Sequence, residues 1–314
     1  MKPDILVLGG GWSPEVREQV QQAFSCHFAP AVPAAGDAAF AEIAGGIRAV
    51  LTTGTVGVTT ALVAALPALE LVCVNGVGVD ALPLALLAGK GIRVTNTPGV
   101  LTDDVADFAV TLLLSTVRRL PQLDRYVRDG RWPAKAPLTQ ARSLKGKVAG
   151  IVGFGRIGQA VAQRLQGFGM EIRYYQRSPG PAPERRSGSL LALARESDML
   201  VLCMPGGADT RRMIDARVLE ALGPEGTLVN IARGSVVDEA ALVAALRDGR
   251  LGAAGLDVFE DEPNVPAALF GLDNVVLTPH VGSFTVEARR AMGRLAVANL
   301  AAHFSGEPLP TPVV

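Results

Sequence analysis

The chain carries only three cysteines in 314 residues, Cys26, Cys73 and Cys203, an odd number with no C-x-x-C spacing. That excludes a disulfide framework and a zinc site of the paired-cysteine kind, no metal is expected, and a reducing compartment is the simpler home. Net charge is also missing, since 30 Lys+Arg balance 30 Asp+Glu. Nothing in that balance attracts a polyanion, so a nucleic-acid partner is not expected. No run approaches the roughly 18 uninterrupted apolar residues of a membrane span. The stretch "ILVLGGG" near the start has no A-x-A cleavage pattern and reads as a first strand, not a signal peptide. Repeats shorter than a domain and low-complexity segments are lacking as well. These absences leave a soluble, cytoplasmic protein, long enough for two packed domains.

What is present is alternation. Short apolar runs take turns with Ala/Leu-rich amphipathic segments, the pattern of parallel sheets covered by helices. In the first hundred residues the strand candidates are "DILVLG", "AVLTTG", "LELVCVNG" and "GIRVTNTP", with helical stretches such as "TTALVAALPAL" between them. A long helix is expected over 100–119, where Asp103, Asp104 and Asp107 suit the positive end and Arg118 and Arg119 the negative end. After the polar segment "RYVRDGRWPAKAPLTQARSLKGK" come "VAGIVG", "EIRYYQ", "MLVLCMP", "TLVNIA", "AAGLDVF" and "NVVLTPH", then a last helix, "TVEARRAMGRLAVANLAAHF".

Three glycine turns compete for a phosphate-binding role. "GGGWSP" has Pro14 where the third glycine belongs, and "GVGVDA" is followed by Pro83 and too short a segment for a good helix. "GFGRIG", Gly153 to Gly158, directly follows "VAGIV" and opens a proline-free helix with Ile157, Ala160, Val161, Leu165 and Phe168 on one face. In that context Gly153 makes a tight turn, Gly155 admits a pyrophosphate and Gly158 lets helix and strand approach. Backbone N–H groups at the helix start would hold the anion. A bare structural turn is the competing reading.

Polar residues in the second half fall at the ends of predicted strands: Arg233 in "NIARGSVVD", Asp257 in "AAGLDVF", Glu262 in "FEDEP" and His280 after "NVVLTP". Strand C-termini are where open α/β sheets bind ligands. Hydride transfer to a 2-keto acid needs a cation for the carboxylate and carbonyl oxygen, and an acid for the forming alkoxide. Histidine suits the second task, and a carboxylate beside it favours imidazolium. Arg233, Glu262 and His280 fill those roles. Each also has an ordinary reading: a histidine after Thr-Pro suits an N-cap or a buried hydrogen bond, Arg233 a surface pair, Glu262 a solvated loop. Their joint position after one glycine turn favours chemistry. His27 and His303 have no such company.

"GIVGFGRIGQAVAQRLQGFGM", "LVNIARGSVVDEAALVAAL", "GLDVFEDEPNVP" and "NVVLTPHVGSFT" resemble the D-isomer-specific 2-hydroxyacid dehydrogenase family. "VTNTPGVLTDDVADFAV" points to its glyoxylate/hydroxypyruvate and hydroxyphenylpyruvate reductase branch. The resemblance spans essentially the whole chain. It implies an α/β fold of two doubly wound parallel-sheet domains. A Rossmann cofactor domain at 99–284 is inserted into a flavodoxin-like substrate domain, 1–98 plus 285–314, with the active cleft between them. It implies that Arg233 binds substrate, that Glu262 pairs with His280, and that His280 is the acid/base. Val77 and Gly78, in the second glycine turn, would hold the substrate carboxylate by backbone N–H groups. Cofactor contacts are implied for Gly153, Gly155, Arg156, Ile157, Gly158, Gln176, Arg177, Ser178, Pro205, Thr210, Ile231, Asp257 and Gly282, with Asp257 near the nicotinamide end. A homodimer is implied too, in which Trp132 either enters a partner's pocket or packs at the interface.

The cofactor itself is read from "YYQRSP", residues 174–179. NAD sites carry an acid at this strand end to hold the ribose 2′-OH. Here Gln176 replaces it. Arg177 and Ser178 suit a 2′-phosphate, with Arg185 and Arg186 near enough to help. Glu171 is no substitute, because it begins the strand. The expected cofactor is NADP(H), and the expected function is reduction of small 2-keto acids to D-2-hydroxy acids with His280 as proton donor. Two alternatives stand: an NAD-linked dehydrogenase of the same family with another substrate, and a non-catalytic dinucleotide-sensing protein on this fold. Which 2-keto acid is used lies in side chains near Thr53 to Val56, Leu101 and Phe284, which sequence does not place.

Overall fold

A computed structural model describes residues 2–10, 12–34, 37–178 and 180–314. Gly11 of the first glycine turn and Pro179 of "YYQRSP" lie outside the described residues. The chain divides into two compact units, Met1–Leu101 with Phe284–Val314, and Thr102–Ser283.

The first unit alternates β1 (Asp4–Leu8), α1 (Pro14–Ala23), β2 (Ser25–Ala29), α2 (Ala38–Ala44), β3 (Ile47–Thr53), α3 (Thr60–Ala65), β4 (Leu71–Asn75), α4 (Leu84–Gly89) and β5 (Arg93–Thr95). Its strands pair in parallel in the order β2-β1-β3-β4-β5, the flavodoxin-like arrangement. A parallel sheet buried on both faces needs continuous apolar strands, and Ile5–Leu8 and Leu71–Val74 are almost fully buried. β2 was not expected from its sequence. "SCHFA" is only half-buried along its length and sits at the sheet edge, so it carries no unbroken apolar run.

The second unit contains α5 (Thr102–Val117), α6 (Leu120–Arg128), β6 (Val148–Val152), α7 (Arg156–Gly167), β7 (Glu171–Tyr175), α8 (Leu190–Glu196), β8 (Met199–Leu202), α9 (Ala216–Leu222), β9 (Thr227–Asn230), α10 (Glu239–Arg247), β10 (Ala253–Leu256) and β11 (Val275–Leu277). All its strands are parallel, in the order β11-β10-β9-β8-β6-β7. The order reverses between β6 and β8, so a switch point lies beside the end of β6. One core cluster lies around α8, α9 and α10, the other around α5 and α7. The last helix, α11 (Val286–Ser305), belongs to the first unit, where Ala296 and Leu300 join its core. Gly293 allows α11 to lie against α1, since a Cβ there would fall on Val16.

Helix starts follow their caps. Ser13, Asp37, Thr59, Ser189, Asp215, Asp238 and Thr285 each accept a backbone N–H of the first turn. One expectation for α7 needs correction. Val161 and Leu165 are fully buried, but Phe168 is exposed. The helix ends at Gly167, so Phe168 has left the helical period that would turn it inward.

Candidate active site

The glycine turn leaves β6 at the switch point. Gly153 has φ +90°, and a side chain there would meet the backbone of Met204 on neighbouring β8's outgoing loop. A Cβ at Gly158 would fall on the Gly153 carbonyl, so this glycine lets α7 close on the turn. Gly155 differs, because among the described residues nothing beyond its immediate chain neighbours and its own helix's backbone lies within 4 Å of where its Cβ would be. The space above it is open to a ligand. Gly155 is also the N-cap of α7 and supplies no side-chain hydrogen bond to the first turn. The N–H groups at the start of this helix, including those of Arg156 and Ile157, therefore lack the cap that serves seven others, and suit a pyrophosphate.

Gln176 follows β7, which pairs with β6. Its Oε1 accepts the Phe154 N–H at 3.1 Å and ties the strand end to the glycine turn. Phe154 in turn stacks on Tyr174 with ring centroids 4.1 Å apart. Arg177 and Ser178 are exposed. Arg186 Nη2 donates to the Gln176 and Arg177 carbonyls at 3.0 and 3.1 Å, so it braces the loop backbone. Arg185 lies near Glu184. Glu171 opens β7 and pairs with Arg173. On the loop after β8, Thr210 Oγ1 donates to the Pro205 carbonyl at 2.9 Å. Ile231, after β9, packs partly buried against the α5–α7 core.

Arg233, Glu262 and His280 leave β9, β10 and β11, three neighbours in the sheet. His280 Nδ1 lies 2.7 Å from Glu262 Oε2. The other oxygen, Oε1, accepts the Phe259 N–H at 3.1 Å. Burial acts to raise the Glu262 carboxyl. The His280 bond and charge, the Phe259 N–H and the Arg233 charge outweigh it, and Glu262 is held below the usual carboxylate value. An ionised Glu262 can only accept, so His280 Nδ1 is the donor in this pair.

Two features that sequence did not reveal hold these side chains in place. Asn230, buried at the end of β9, donates to the Arg233 carbonyl at 2.9 Å and accepts the Ala232 N–H at 3.0 Å. Gly234 lets the Arg233 loop press on the 259–262 loop, since a Cβ there would fall on the Phe259 and Glu260 backbone. Asp257 is the organiser of the β11 loop. Buried at 2% exposure, it takes the Thr278 hydroxyl (2.7 Å) and Val281 N–H (2.9 Å) on Oδ1 and the Gly282 N–H (2.9 Å) on Oδ2. Its carbonyl accepts the His280 N–H at 2.8 Å. His280 sits at φ +55°, a conformation that costs a residue with a Cβ roughly 1 kcal/mol or more and needs such bracing.

In the first unit, Val77 and Gly78 lie on the loop after β4, the strand next to last in its sheet. Asn96 Nδ2 donates to the Val77 carbonyl at 2.8 Å, and Val77 is exposed. His27 pairs with Asp4, and His303 with Glu70. Among the described residues no three His, Cys, Asp or Glu are placed to hold a metal, and no helix is long and apolar enough to cross a membrane.

A glycine turn at the switch point of a parallel sheet, with an Arg–Glu–His group on the same sheet's strand ends, defines a dinucleotide-dependent enzyme of the doubly wound class. The chain belongs to the D-isomer specific 2-hydroxyacid dehydrogenase family: residues 110–282, more than half of it, match that family's NAD binding domain. It is therefore an oxidoreductase of that family. It is 52% identical over 269 residues to a hydroxyphenylpyruvate reductase of Plectranthus scutellarioides, covering 85% of this chain and 86% of that one. It is 44% identical to a 2-ketogluconate reductase of Gluconobacter oxydans, over 100% of this chain and 99% of the other. Among solved structures, it is similar to an NADPH-dependent glyoxylate/hydroxypyruvate reductase from Sinorhizobium meliloti in complex with NADP and malonate. That match has TM-score 0.93 and 43% identity, over 100% and 97% of the two chains.

Proposed function

We propose that the protein is an NADPH-dependent reductase of small 2-keto acids, of the glyoxylate/hydroxypyruvate type, yielding D-2-hydroxy acids. The observation that carries the chemistry is the His280–Glu262 pair, 2.7 Å apart, under the charge of Arg233. A nicotinamide, when bound, would supply the hydride for the keto carbon. Arg233 holds the substrate carboxylate and carbonyl oxygen as a fixed cation. His280 Nε2 delivers a proton to the oxygen as it gains charge, and Glu262 stabilises the imidazolium that donates it. The backbone N–H groups of Val77 and Gly78 take the carboxylate.

Gln176 supports the choice of cofactor. The end of β7 itself supplies Gln176 in place of the acid that would accept a ribose 2′-OH, and Arg177 and Ser178 follow it. Gly153, Gly155 and Gly158, with Arg156 and Ile157, would seat the pyrophosphate. Pro205, Thr210, Ile231, Asp257 and Gly282 would line the remaining length. The S. meliloti relative with NADP supports the same reading. We place the protein in the cytoplasm as a homodimer. Leu120, Val127, Trp132 and Leu138 are each exposed, which suits contact with a partner copy, and light scattering checks the dimer.

The test is a panel of 2-keto acids with each cofactor. Glyoxylate or hydroxypyruvate should oxidise NADPH, with kcat/KM favouring NADPH over NADH. The reverse preference would mark an NAD-linked dehydrogenase, and inert behaviour with every keto acid a dinucleotide-sensing protein.

A further inference from the structure

Arg177 is already engaged. Its Nη1 lies 2.6 Å from Asp209 Oδ2, and both side chains are exposed, at 66% and 73%. The pair joins two loops that flank the glycine turn, because β6 lies between β7 and β8 in the sheet. Arg177 stands two residues past the end of β7, and Asp209 lies in a single 3-10 turn, Ala208–Thr210, after β8. The backbone on each side is anchored. Arg186 holds the Gln176 and Arg177 carbonyls, Gln176 holds the Phe154 N–H, and Thr210 Oγ1 bonds the Pro205 and Gly207 carbonyls. None of these bonds uses the Arg177 or Asp209 side chain.

We propose that Asp209 is a resident counter-ion of Arg177, which a cofactor 2′-phosphate must displace, so that Asp209 sets how strongly the phosphate is captured. The proposal rests on the reading of Arg177 as part of a 2′-phosphate seat. A guanidinium fork fits a carboxylate or a phosphate equally well, so the two anions compete for one donor. A phosphate monoester carries roughly −1.5 to −2 charge near neutrality, and Asp209 left beside it would repel it. A nucleotide with a bare 2′-OH offers no anion to replace Asp209 and gains nothing from opening the pair. Removing the charge of Asp209 should therefore strengthen phosphate capture selectively, and only while Arg177 is present. Asp209 thus acts against Arg177 as a specificity-determining residue.

Calorimetry with two cofactor fragments, adenosine 2′,5′-bisphosphate and 5′-AMP, tests this without turnover. Asp209→Asn should bind the bisphosphate about three- to fivefold more tightly, the scale of an exposed ion pair. Affinity for AMP should stay within about twofold, and the gain should vanish in the Arg177→Gln/Asp209→Asn double variant. If the native protein prefers the bisphosphate and Asp209→Asn does not strengthen that preference, the counter-ion role is overturned and the cofactor reading stands. A preference that arises only in Asp209→Asn upholds the role of Asp209 and overturns the native NADP preference. Equal affinity for both fragments in both proteins overturns both.

Discussion

His280 Nδ1 meets Glu262 Oε2 at 2.7 Å while the His280 backbone is held at φ +55° by the Asp257 carbonyl. The ring is thus fixed from two directions, through Nδ1 at Glu262 and through its own backbone. His280→Ala should lower kcat by about 10²- to 10⁴-fold, the usual worth of a positioned general acid. NADPH binding, followed by fluorescence titration, should change little. Glu262→Gln should lower kcat less and displace the pH profile of kcat, since an amide cannot stabilise imidazolium.

Asp257 is expected to act through the backbone it organises. Its two oxygens take three donors from residues 278–282. Asp257→Asn retains the shape but turns an N–H₂ group toward an N–H donor, which should cost about 2 kcal/mol of stability in urea unfolding. The loss of kcat should exceed any change in KM for the keto acid, because His280 moves with the loop.

Gln176 offers a sharper cofactor test than an aspartate replacement. Its Oε1 reaches the Phe154 N–H, and a shorter aspartate would give up that bond. Gln176→Glu preserves reach and acceptor while placing a charge where a 2′-phosphate would sit. The ratio of kcat/KM for NADPH over NADH should fall at least about tenfold, as like charges at close range cost on the order of 1.4 kcal/mol or more. An unchanged ratio would remove Gln176 from cofactor choice.

Acid should loosen the first unit through Glu70. Arg48 bonds both its oxygens, at 2.7 and 3.0 Å, and His303 of α11 adds a contact at 3.0 Å. The Arg48 bonds chiefly, against some burial, hold the Glu70 carboxyl below its ordinary value of 4.5. A depressed folded value means the stabilisation is fully present above pH 4.5 and is lost as pH falls through the lower folded value. Thermal melts of the native protein and Glu70→Gln should differ at pH 7, begin to converge as pH falls below 4.5, and differ little once pH is below the lowered folded value.

Much of this was legible in the chain itself. Unbroken apolar runs such as "MLVLCMP" declare strands of a parallel sheet, because both faces must be buried; the edge strand β7, "EIRYY", alternates instead and was legible from its tyrosines and its place after the glycine-turn helix. β2 was illegible for the opposite reason: an edge strand needs no continuous apolar run. Phe168 misled because a helical period says nothing of where the helix stops. Arg233, Glu262 and His280 were legible as reactive types at strand ends, and sheet order placed their strands side by side.

The sequence by itself determined the fold class, the glycine turn and the chemical types available at the site, since these depend on local pattern and side-chain chemistry. Only the tertiary structure decided which partners those groups have. Asp257 takes a hydroxyl and two backbone N–H groups 21 to 25 residues away, Gln176 reaches Phe154 across 22, and Arg177 meets Asp209 across 32. Such pairings arise from the order of strands in the sheet, which brings loops distant in the chain to one edge, and no local pattern encodes that order.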